Sequence, residues 1–247
     1  NAAARKVMRN LDSLRAELGV APVGTLDRIF QRADLLLYRT AEPFEYPRAT
    51  WPKMVRAIGP GLWAPPGEAP DWLAELPHPR VLVTVSSELQ EDGAIIETAL
   101  DALADEPGSV IVTTAALDPD LFEAANDRVR ITRSLPHAEV IPKVDVVVTH
   151  GGMGTVQRSL SSGVPVCVVP WGRDQGESGR RVVVSGAGTM VPRSKLTAAR
   201  LRQAIREAQS HTPTANRIAR AFREAGGGTR GADLLEALSM RTSSTHR

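Results

Sequence analysis

The sequence predicts an α/β protein built on a doubly wound parallel sheet. From residue 80 onward, short apolar runs alternate with helix-like segments. The runs are continuously apolar, as expected for strands of a parallel sheet that carries helices on both faces. One run ends in a glycine-rich turn that opens a helix, and ligands of such sheets bind outside the carboxyl ends of the strands. Together these observations predict a Rossmann-like domain with a ligand site at that turn.

Two helices and a strand are expected before this domain. Apolar side chains recur at helical spacing from Val7 to Leu18 and predict an amphipathic helix, which Gly19 ends. A short helix over residues 25–33 and a strand over residues 34–38 are expected next.

A linker follows these elements. Residues 41–79 are rich in Pro and Gly and should carry only one short helix, over residues 72–76. We therefore place a domain boundary here. The predicted units are a partial first domain over residues 1–50, a linker over 51–79, the Rossmann-like domain over 80–240 and a tail over 241–247.

The Rossmann-like domain should contain six strands and end in three helices. Strands are expected near residues 80–85, 109–113, 129–132, 145–149, 164–169 and 188–192, with helices between most of them. The closing helices are expected near residues 197–209, 213–225 and 230–240. Thr197 and Thr212 are the candidate N-caps of the first two.

Length and composition allow a substantial core. The chain has 247 residues, of which 42% are hydrophobic. It contains neither an apolar run of about 20 residues nor a signal peptide, so a cytoplasmic location is expected. Asn1 in place of Met suggests a fragment, a processed chain or a partial one. Cys167 lies inside an apolar run, and we expect a buried strand residue without chemistry.

The charge of the chain is uneven. Residues 193–247 contain eleven Lys or Arg against four Asp or Glu, although the whole chain has a net charge of only +2. Such arginines usually form a solvated helix face. Peripheral contact with an anionic membrane through the basic C-terminal helices is the alternative. We expect no nucleic-acid partner.

The most informative stretch covers residues 144–178. The strand-like run from Val144 delivers His150 to the carboxyl edge of the sheet, where glycines let the backbone approach an anion and Thr155 begins a helix. A second apolar run ends at Pro170, so Asp174 and the residue after it should emerge at the same edge. This layout predicts a phosphate-binding site.

Three linked motifs then resemble a known family. They read His150-Gly151-Gly152-Met153-Gly154-Thr155, Gly163-Val164-Pro165, and Pro170 through Asp174-Gln175. The pattern resembles the C-terminal donor-binding domain of GT-B fold glycosyltransferases, in the superfamily of UDP-glycosyltransferases and macrolide or antibiotic glycosyltransferases. The resemblance covers about residues 25–240. It implies that residues 1–50 are the tail of an N-terminal acceptor domain.

The resemblance also implies roles for these residues. The diphosphate of a nucleotide sugar would contact His150, Thr155, Ser87 and the glycines 151, 152 and 154, while Asp174 and Gln175 would bind the sugar. Helix capping remains an alternative for Thr155 and for Asp174, as does a turn-forming role for Ser87. The catalytic base of the family lies in the N-terminal domain, so we assign no catalytic residue here. We expect no cofactor and no metal.

Three positions depart from the family pattern. Ser86 replaces a glycine before Ser87. A stacking Trp is replaced by Ser134, which leaves Leu135 and His137 for the nucleobase. Arg158 replaces a Glu that binds the ribose hydroxyls in many UDP-sugar enzymes, which favours a dTDP-linked deoxysugar over a UDP-sugar.

The resemblance therefore implies the donor-binding part of an inverting, metal-independent glycosyltransferase. It would act on a hydroxyl of a lipid or other lipophilic or natural-product acceptor. A non-catalytic nucleotide-sugar-binding module and a GT-B-like sugar-nucleotide epimerase are the alternatives. An NAD-binding domain is disfavoured because no Gly-x-Gly-x-x-Gly follows the first strand. Asp118-Pro119-Asp120 is better explained by a helix start than by a metal site.

Overall fold

The computed structural model describes residues 2–88 and 90–244, except for the side chains of residue 27 and of residues 241–244. The helices in this range are α1 Ala2–Glu17, α2 Leu26–Gln31, α3 Trp72–Glu75, α4 Ala94–Leu103, α5 His137–Val140, α6 Met153–Ser161, α7 Gln175–Val184, α8 Ala198–Gln209, α9 Thr212–Glu224 and α10 Gly227–Ser244. The strands are β1 Leu36–Tyr38, β2 Val55–Ala57, β3 Arg80–Thr84, β4 Ser109–Thr113, β5 Val129–Thr132, β6 Val146–Thr149, β7 Val166–Val168 and β8 Gly188–Met190.

The main sheet has six parallel strands in the order β5-β4-β3-β6-β7-β8. All six were predicted, and the α/β Rossmann-like fold class is confirmed. The strand order reverses between β3 and β6, which is the topological switch point. In open α/β sheets a crevice forms at this point, outside the carboxyl ends of the strands.

The continuously apolar strands are explained by burial on both faces of the sheet. Val81 and Val83 of β3 pack into a core with α4 and α8, whereas Leu82 between them packs on the opposite face. On that opposite face, α6, α7 and α9 cover β7. The central strands therefore need apolar side chains at successive positions, and this is the signal that made them visible in the sequence.

The predicted linker contains a strand that the sequence did not reveal. β2 pairs in parallel with β1 in a separate two-stranded sheet. It has only three residues, and none of them is fully buried, so it lacks the apolar run of a core strand. The short helix predicted after it is present as α3.

The last helix returns to this small sheet. Gly231 of α10 lies so close to it that an added Cβ would be 3.3 Å from Cδ1 of Ile58 and 3.4 Å from Cδ1 of Leu37. α10 extends to Ser244, which is beyond the predicted helix end, and residues 245–247 of the predicted tail lie outside the described residues.

One predicted cap is confirmed and the other is wrong. The hydroxyl of Thr197 accepts a hydrogen bond from the backbone N–H of Arg200, 3.3 Å away. At α9 the N-cap is His211, and the hydroxyl of Thr212 instead donates to the carbonyl of Gln209 at 2.8 Å. The helix begins one residue earlier than the sequence suggested.

Some basic side chains of the C-terminal part have partners within the fold. Arg202 and Arg206 pair with Glu106, and the guanidinium of Arg193 lies 4.0 Å from the ring centroid of Trp171. Among the described helices, none is long and apolar enough to cross a membrane. Peripheral membrane contact stays a prediction.

Candidate functional site

An open cavity of about 600 Å³ lies at the switch point of the sheet. It is formed by the carboxyl ends of β3, β4 and β6, the segment after β5 and the first turn of α6. The residues that line it are Thr84, Val85, Ser87, Thr113, Ala115, Ala116, Arg133, Ser134, Leu135, His137, His150, Gly152, Gly154 and Thr155. Most of the residues predicted to contact a nucleoside diphosphate are therefore brought together in one place.

The start of α6 faces this cavity without a capping side chain. Gly152 occupies the N-cap, and the backbone N–H groups of the first helical turn have no acceptor within the helix. α6 begins at Met153, so Thr155 is its third residue and not its first, as the sequence suggested. Free amides and the positive end of the helix dipole favour an anion at this position.

Thr155 does not cap the helix. Its hydroxyl has no hydrogen-bond partner in the part of the chain that the structure describes, while its carbonyl accepts a bond from Ser159 at 2.9 Å. The capping alternative for Thr155 is therefore wrong, and a half-buried hydroxyl at the cavity wall is left to contact a ligand.

The three motif glycines differ in what an added side chain would meet. Gly151 has φ +97°, and a Cβ there would lie 2.7 Å from Cγ1 of Val168. A Cβ on Gly152 would lie 2.7 Å from Nε2 of His150, so its absence makes room for the imidazole. A Cβ on Gly154 would meet nothing within 4 Å. Only Gly154 has open space, and that space is the cavity.

His150 is a buried imidazole at the base of the cavity. Its Nδ1 lies 3.4 Å from the hydroxyl of Thr149. Burial lowers the pKa of His150 below its ordinary value, against the opposing effects of the Asp92 carboxylate and the Thr84 carbonyl. The ring is therefore neutral at pH 7, and a neutral imidazole can still donate one N–H to an anion.

The two serines of the loop after β3 have different roles. Ser86 is buried, and its hydroxyl accepts a hydrogen bond from the backbone N–H of Glu88 at 3.1 Å. Its own N–H donates to the buried carboxylate of Asp92 at 2.8 Å. Ser86 thus forms the turn, and Ser87, for which that role was the alternative, is exposed and lines the cavity.

The opposite end of the cavity contains the residues predicted to contact the nucleobase. Ser134, Leu135 and His137 all line it. Nε2 of His137 lies 3.2 Å from the hydroxyl of Thr113. Burial, followed by the positive charge of Arg158, lowers the pKa of His137.

Arg158, predicted to lie near the ribose, does not line the cavity. One turn farther along α6 than Thr155, it donates from Nη2 to the carbonyl of Trp63 at 2.6 Å. The neighbouring Gln157 is buried and donates to the carbonyl of Arg39 at 2.7 Å. These bonds attach α6 to the segments that precede the main sheet.

Asp174 and Gln175 lie at the start of α7, beside the cavity and not in its lining. Asp174 is exposed at the N-cap position, and its side chain makes no capping hydrogen bond. The carboxylate is therefore available to a ligand.

The amide of Gln175 is already engaged. Its Oε1 accepts from the backbone N–H groups of Trp171 and Gly172, at 2.8 and 2.9 Å, and its Nε2 donates to Gln90 at 2.9 Å. Arg173 forms an ion pair with Glu88 nearby. The loops after β3 and β7 are thus joined at the rim of the cavity, and Gln175 shapes the loop that precedes it.

Asp118 and Cys167 have the structural roles that the sequence predicted for them, a helix cap and a buried strand residue. Asp118 accepts from the backbone N–H of Asp120 at 3.4 Å and starts a single turn of 3₁₀-helix, as a cap does. Cys167 is fully buried in β7, and burial raises the pKa of its thiol to about 12. A thiolate is therefore absent at neutral pH.

Sequence reasoning did not anticipate four of the residues around this cavity. Thr84 and Thr113 end β3 and β4, and Arg133 follows β5, so a rule based on strand ends would have found them. Asp92 could not be found in this way because it lies beyond a loop, and only the fold brings its carboxylate back to Ser86.

Comparison with known proteins gives a consistent picture. Residues 97–226 match the family described as "Erythromycin biosynthesis protein CIII-like, C-terminal domain". The chain is 35% identical over 208 residues to the 4'-demethylrebeccamycin synthase of Lentzea aerocolonigenes, an alignment that covers 82% of this chain and 49% of that protein. The chain spans about half the length of the curated relatives it matches.

Solved structures with the same fold include two glycosyltransferases. The calicheamicin glycosyltransferase CalG4 superposes with a TM-score of 0.77 at 24% identity, over 94% of this chain and 58% of that one. The glycosyltransferase VinC, solved in complex with dTDP, superposes with a TM-score of 0.74 at 25% identity, over 95% and 58% of the two chains. The first likeness shows the fold alone.

Proposed function

Because this chain belongs to the family of the erythromycin biosynthesis protein CIII-like C-terminal domain, homologous to macrolide and antibiotic glycosyltransferases, we propose that it binds the donor of a glycosyl transfer. The donor is a nucleoside-diphosphate sugar, linked to dTDP or UDP. The full enzyme inverts the anomeric centre, works without a metal and transfers the sugar to a hydroxyl of a lipophilic or natural-product acceptor.

One observation carries this proposal. The uncapped N-terminus of α6 opens into the switch-point cavity, with the free hydroxyl of Thr155, the neutral imidazole of His150 and the hydroxyl of Ser87 around it. Transfer places growing negative charge on the departing diphosphate. Preorganised N–H and O–H donors stabilise such charge without a metal ion.

The remaining contacts are assigned to residues that line the cavity or lie beside it. The nucleobase rests at the end lined by Ser134, Leu135 and His137, and the sugar lies toward the exposed carboxylate of Asp174. Gln175 supports this arrangement through the loop that it holds. Arg158 occupies the sequence position of the ribose-binding carboxylate of the family pattern, and its guanidinium is engaged by the Trp63 carbonyl. No carboxylate at this position binds the ribose hydroxyls, which suits a dTDP-linked deoxysugar.

The non-catalytic module and the epimerase remain the rival functions. Several of the matched curated relatives are named as glycosyltransferases, which supports transfer over epimerisation. A module and an enzyme bind the donor alike, and they differ only in whether the full protein supplies a general base to the acceptor.

Calorimetric titration of the chain with dTDP and UDP tests the proposal. We expect binding of at least one of them, and Thr155→Val should weaken it by about 1.5 to 3 kcal/mol, the value of a hydrogen bond to a charged group. That change is roughly tenfold or more in the dissociation constant. Ser162→Ala, at the other end of α6, should leave it unchanged.

Two results would count against the proposal. If the folded wild-type chain binds neither nucleotide, the donor function is wrong. If Thr155→Val and His150→Gln both bind with the wild-type dissociation constant, the nucleotide binds elsewhere and the assignment of this cavity is wrong.

A further inference from the structure

Within the described part of the chain, one aromatic side chain near the cavity, that of Trp63, has no hydrogen-bond or ring partner that explains its position. Trp63 is 79% exposed, although the other tryptophans are half-buried or make ring contacts. Single exposed apolar residues are common on protein surfaces, so exposure alone carries no argument. The position of Trp63 relative to the cavity, in contrast, indicates a role in binding.

The segment that carries Trp63 is attached at both of its ends to elements that form the cavity, α6 and the turn after β5. The carbonyl of Trp63 accepts a hydrogen bond from Arg158 of α6, at 2.6 Å. Gly67 lies against the wall at the opposite side, where an added Cβ would be 2.9 Å from Cβ of Pro136. Residues 63–67 therefore run from α6 to the turn that contains Leu135 and His137.

The electrostatics agree with this placement. Arg158 acts on His137 strongly enough to help lower the pKa of its imidazole. The guanidinium that holds the Trp63 carbonyl is therefore near the nucleobase end of the cavity and not near the far end of α6.

The segment is also stiff. Ala64 is followed by Pro65 and Pro66, whose rings fix φ and also restrict the residue before each of them. The backbone that carries Trp63 therefore has few accessible conformations. Binding of a base against Trp63 then costs little chain entropy.

The cavity lacks what Trp63 would supply. No Phe, Tyr or Trp is among the residues that line it, and at its nucleobase end Leu135 and His137 offer one surface. A flat base has two faces, and aromatic side chains bind either face with little dependence on the base.

We propose that Trp63 is the stacking platform for the nucleobase, supplied by the segment between β2 and α3 in place of the residue that Ser134 replaces. This inference rests on the proposed function. Trp63 covers the face of the base that the Leu135–His137 turn leaves open, and it acts on the base alone, without contact to the diphosphate.

The test measures dTDP and UDP dissociation constants for the wild type, Trp63→Ala and Trp63→Phe, with inorganic pyrophosphate as a base-free competitor. Trp63→Ala should raise the dissociation constant of the bound nucleotide at least about fivefold, and Trp63→Phe should restore most of the affinity. Pyrophosphate itself should bind the wild type and Trp63→Ala equally well. The pyrophosphate concentration that displaces half of the bound nucleotide should therefore change only because the affinity for the nucleotide changes. Leu18→Ala, which removes an exposed apolar side chain from the turn after α1, is the matched control and should match the wild type.

The outcomes separate this inference from the function on which it rests. If the wild type binds no nucleotide, the donor function fails and the inference fails with it. If the wild type binds and Trp63→Ala binds equally well, the inference alone is overturned. A loss of intrinsic affinity for pyrophosphate that equals the loss for dTDP would also overturn it, because Trp63 would then act on the anion site or the fold.

Discussion

At the scale of the residue, the cavity contains two imidazoles whose charge is controlled by burial. His150 lies against the start of α6, and His137 lies at the opposite end, where it is hydrogen-bonded to Thr113. In both, burial is the largest influence and lowers the pKa. Each ring therefore enters the binding reaction neutral, as a donor or acceptor of single hydrogen bonds.

These lowered pKa values predict a pH dependence of stability. The unfolded chain binds protons at the ordinary histidine pKa, about 6.5, whereas the folded chain binds them only at lower pH. The free energy of unfolding should therefore fall as the pH is lowered through 6.5 toward the folded-state pKa values.

Urea denaturation of the wild type, His150→Gln and His137→Gln at pH 7.5 and 5.5 measures this effect. Both variants should lose less stability between these pH values than the wild type does. Between pH 7.5 and 8.5 the three proteins should show the same change. An equal or steeper loss in the variants below pH 6.5 would show that other groups dominate.

Gln175 gives a second prediction at this scale. Its Oε1 accepts hydrogen bonds from the backbone N–H groups of Trp171 and Gly172. Without this oxygen, the two half-buried N–H groups would have no acceptor. Gln175→Met keeps the length of the side chain and removes that acceptor, so the free energy of unfolding should fall by about 1 to 3 kcal/mol. Gln203→Met, on the exposed face of α8, should change it by less than about 0.5 kcal/mol. Equal stabilities of the two variants would contradict a structural role for the Gln175 amide.

The sequence could predict many of the residues that surround the cavity but not how each side chain is used. His150 and Thr155 were found because they follow a strand and lie at the start of a helix, and Ser87, Ser134, Leu135 and His137 were found through the resemblance to the glycosyltransferase pattern. That the Gln175 amide also bonds to Gln90 depends on a contact between loops 85 residues apart in sequence. No local pattern records such contacts, and the same holds for Trp63.

At the scale of the element, α6 and α7 provide a matched pair of helix N-termini. Gly154 and Gly176 are each the second residue of their helix, both are exposed, and an added Cβ on either would meet nothing within 4 Å. They differ in surroundings, because only Gly154 lines the cavity.

This pair separates the effect on the helix from the effect on the ligand. Gly154→Ala and Gly176→Ala should each leave the free energy of unfolding unchanged or raise it by up to about 1 kcal/mol, since alanine favours helix over glycine. Only Gly154→Ala should raise the dissociation constant of dTDP, at least about fivefold, because its methyl group occupies the path of an anion to the amides. Equal nucleotide affinity of the two variants, measured by calorimetry, would mean that the anion does not approach α6.

The elements themselves were largely predictable because the main sheet is buried on both faces. Six strands were predicted from apolar runs, and α1 was predicted from the helical spacing of its apolar side chains. β2 was missed because a three-residue strand with exposed side chains makes no such run. Its pairing with β1, and the packing of α10 on both, are properties of the tertiary structure alone.

At the scale of the whole molecule, the proposed site provides donors for an anion but no assigned base for an acceptor. General-base catalysis needs a group within hydrogen-bond reach of the attacking hydroxyl. The chain spans about half the length of its curated relatives. We propose that the base lies in the N-terminal acceptor domain that the resemblance implies. Donor binding and sugar transfer should therefore separate experimentally.

This separation is the last prediction. The 247-residue chain should bind a nucleoside diphosphate and transfer no sugar, whereas a protein that also contains the acceptor domain, fused or added in trans, should transfer it. In that protein, Asp174→Asn should lower turnover more than it lowers dTDP affinity, because the exposed carboxylate is placed to hold the sugar and not the nucleotide. Mass spectrometry of the acceptor follows the product. Transfer by the 247-residue chain alone would place the base within this sequence. If the acceptor domain folds and binds its acceptor but no sugar is transferred, the protein is a binding module and not an enzyme.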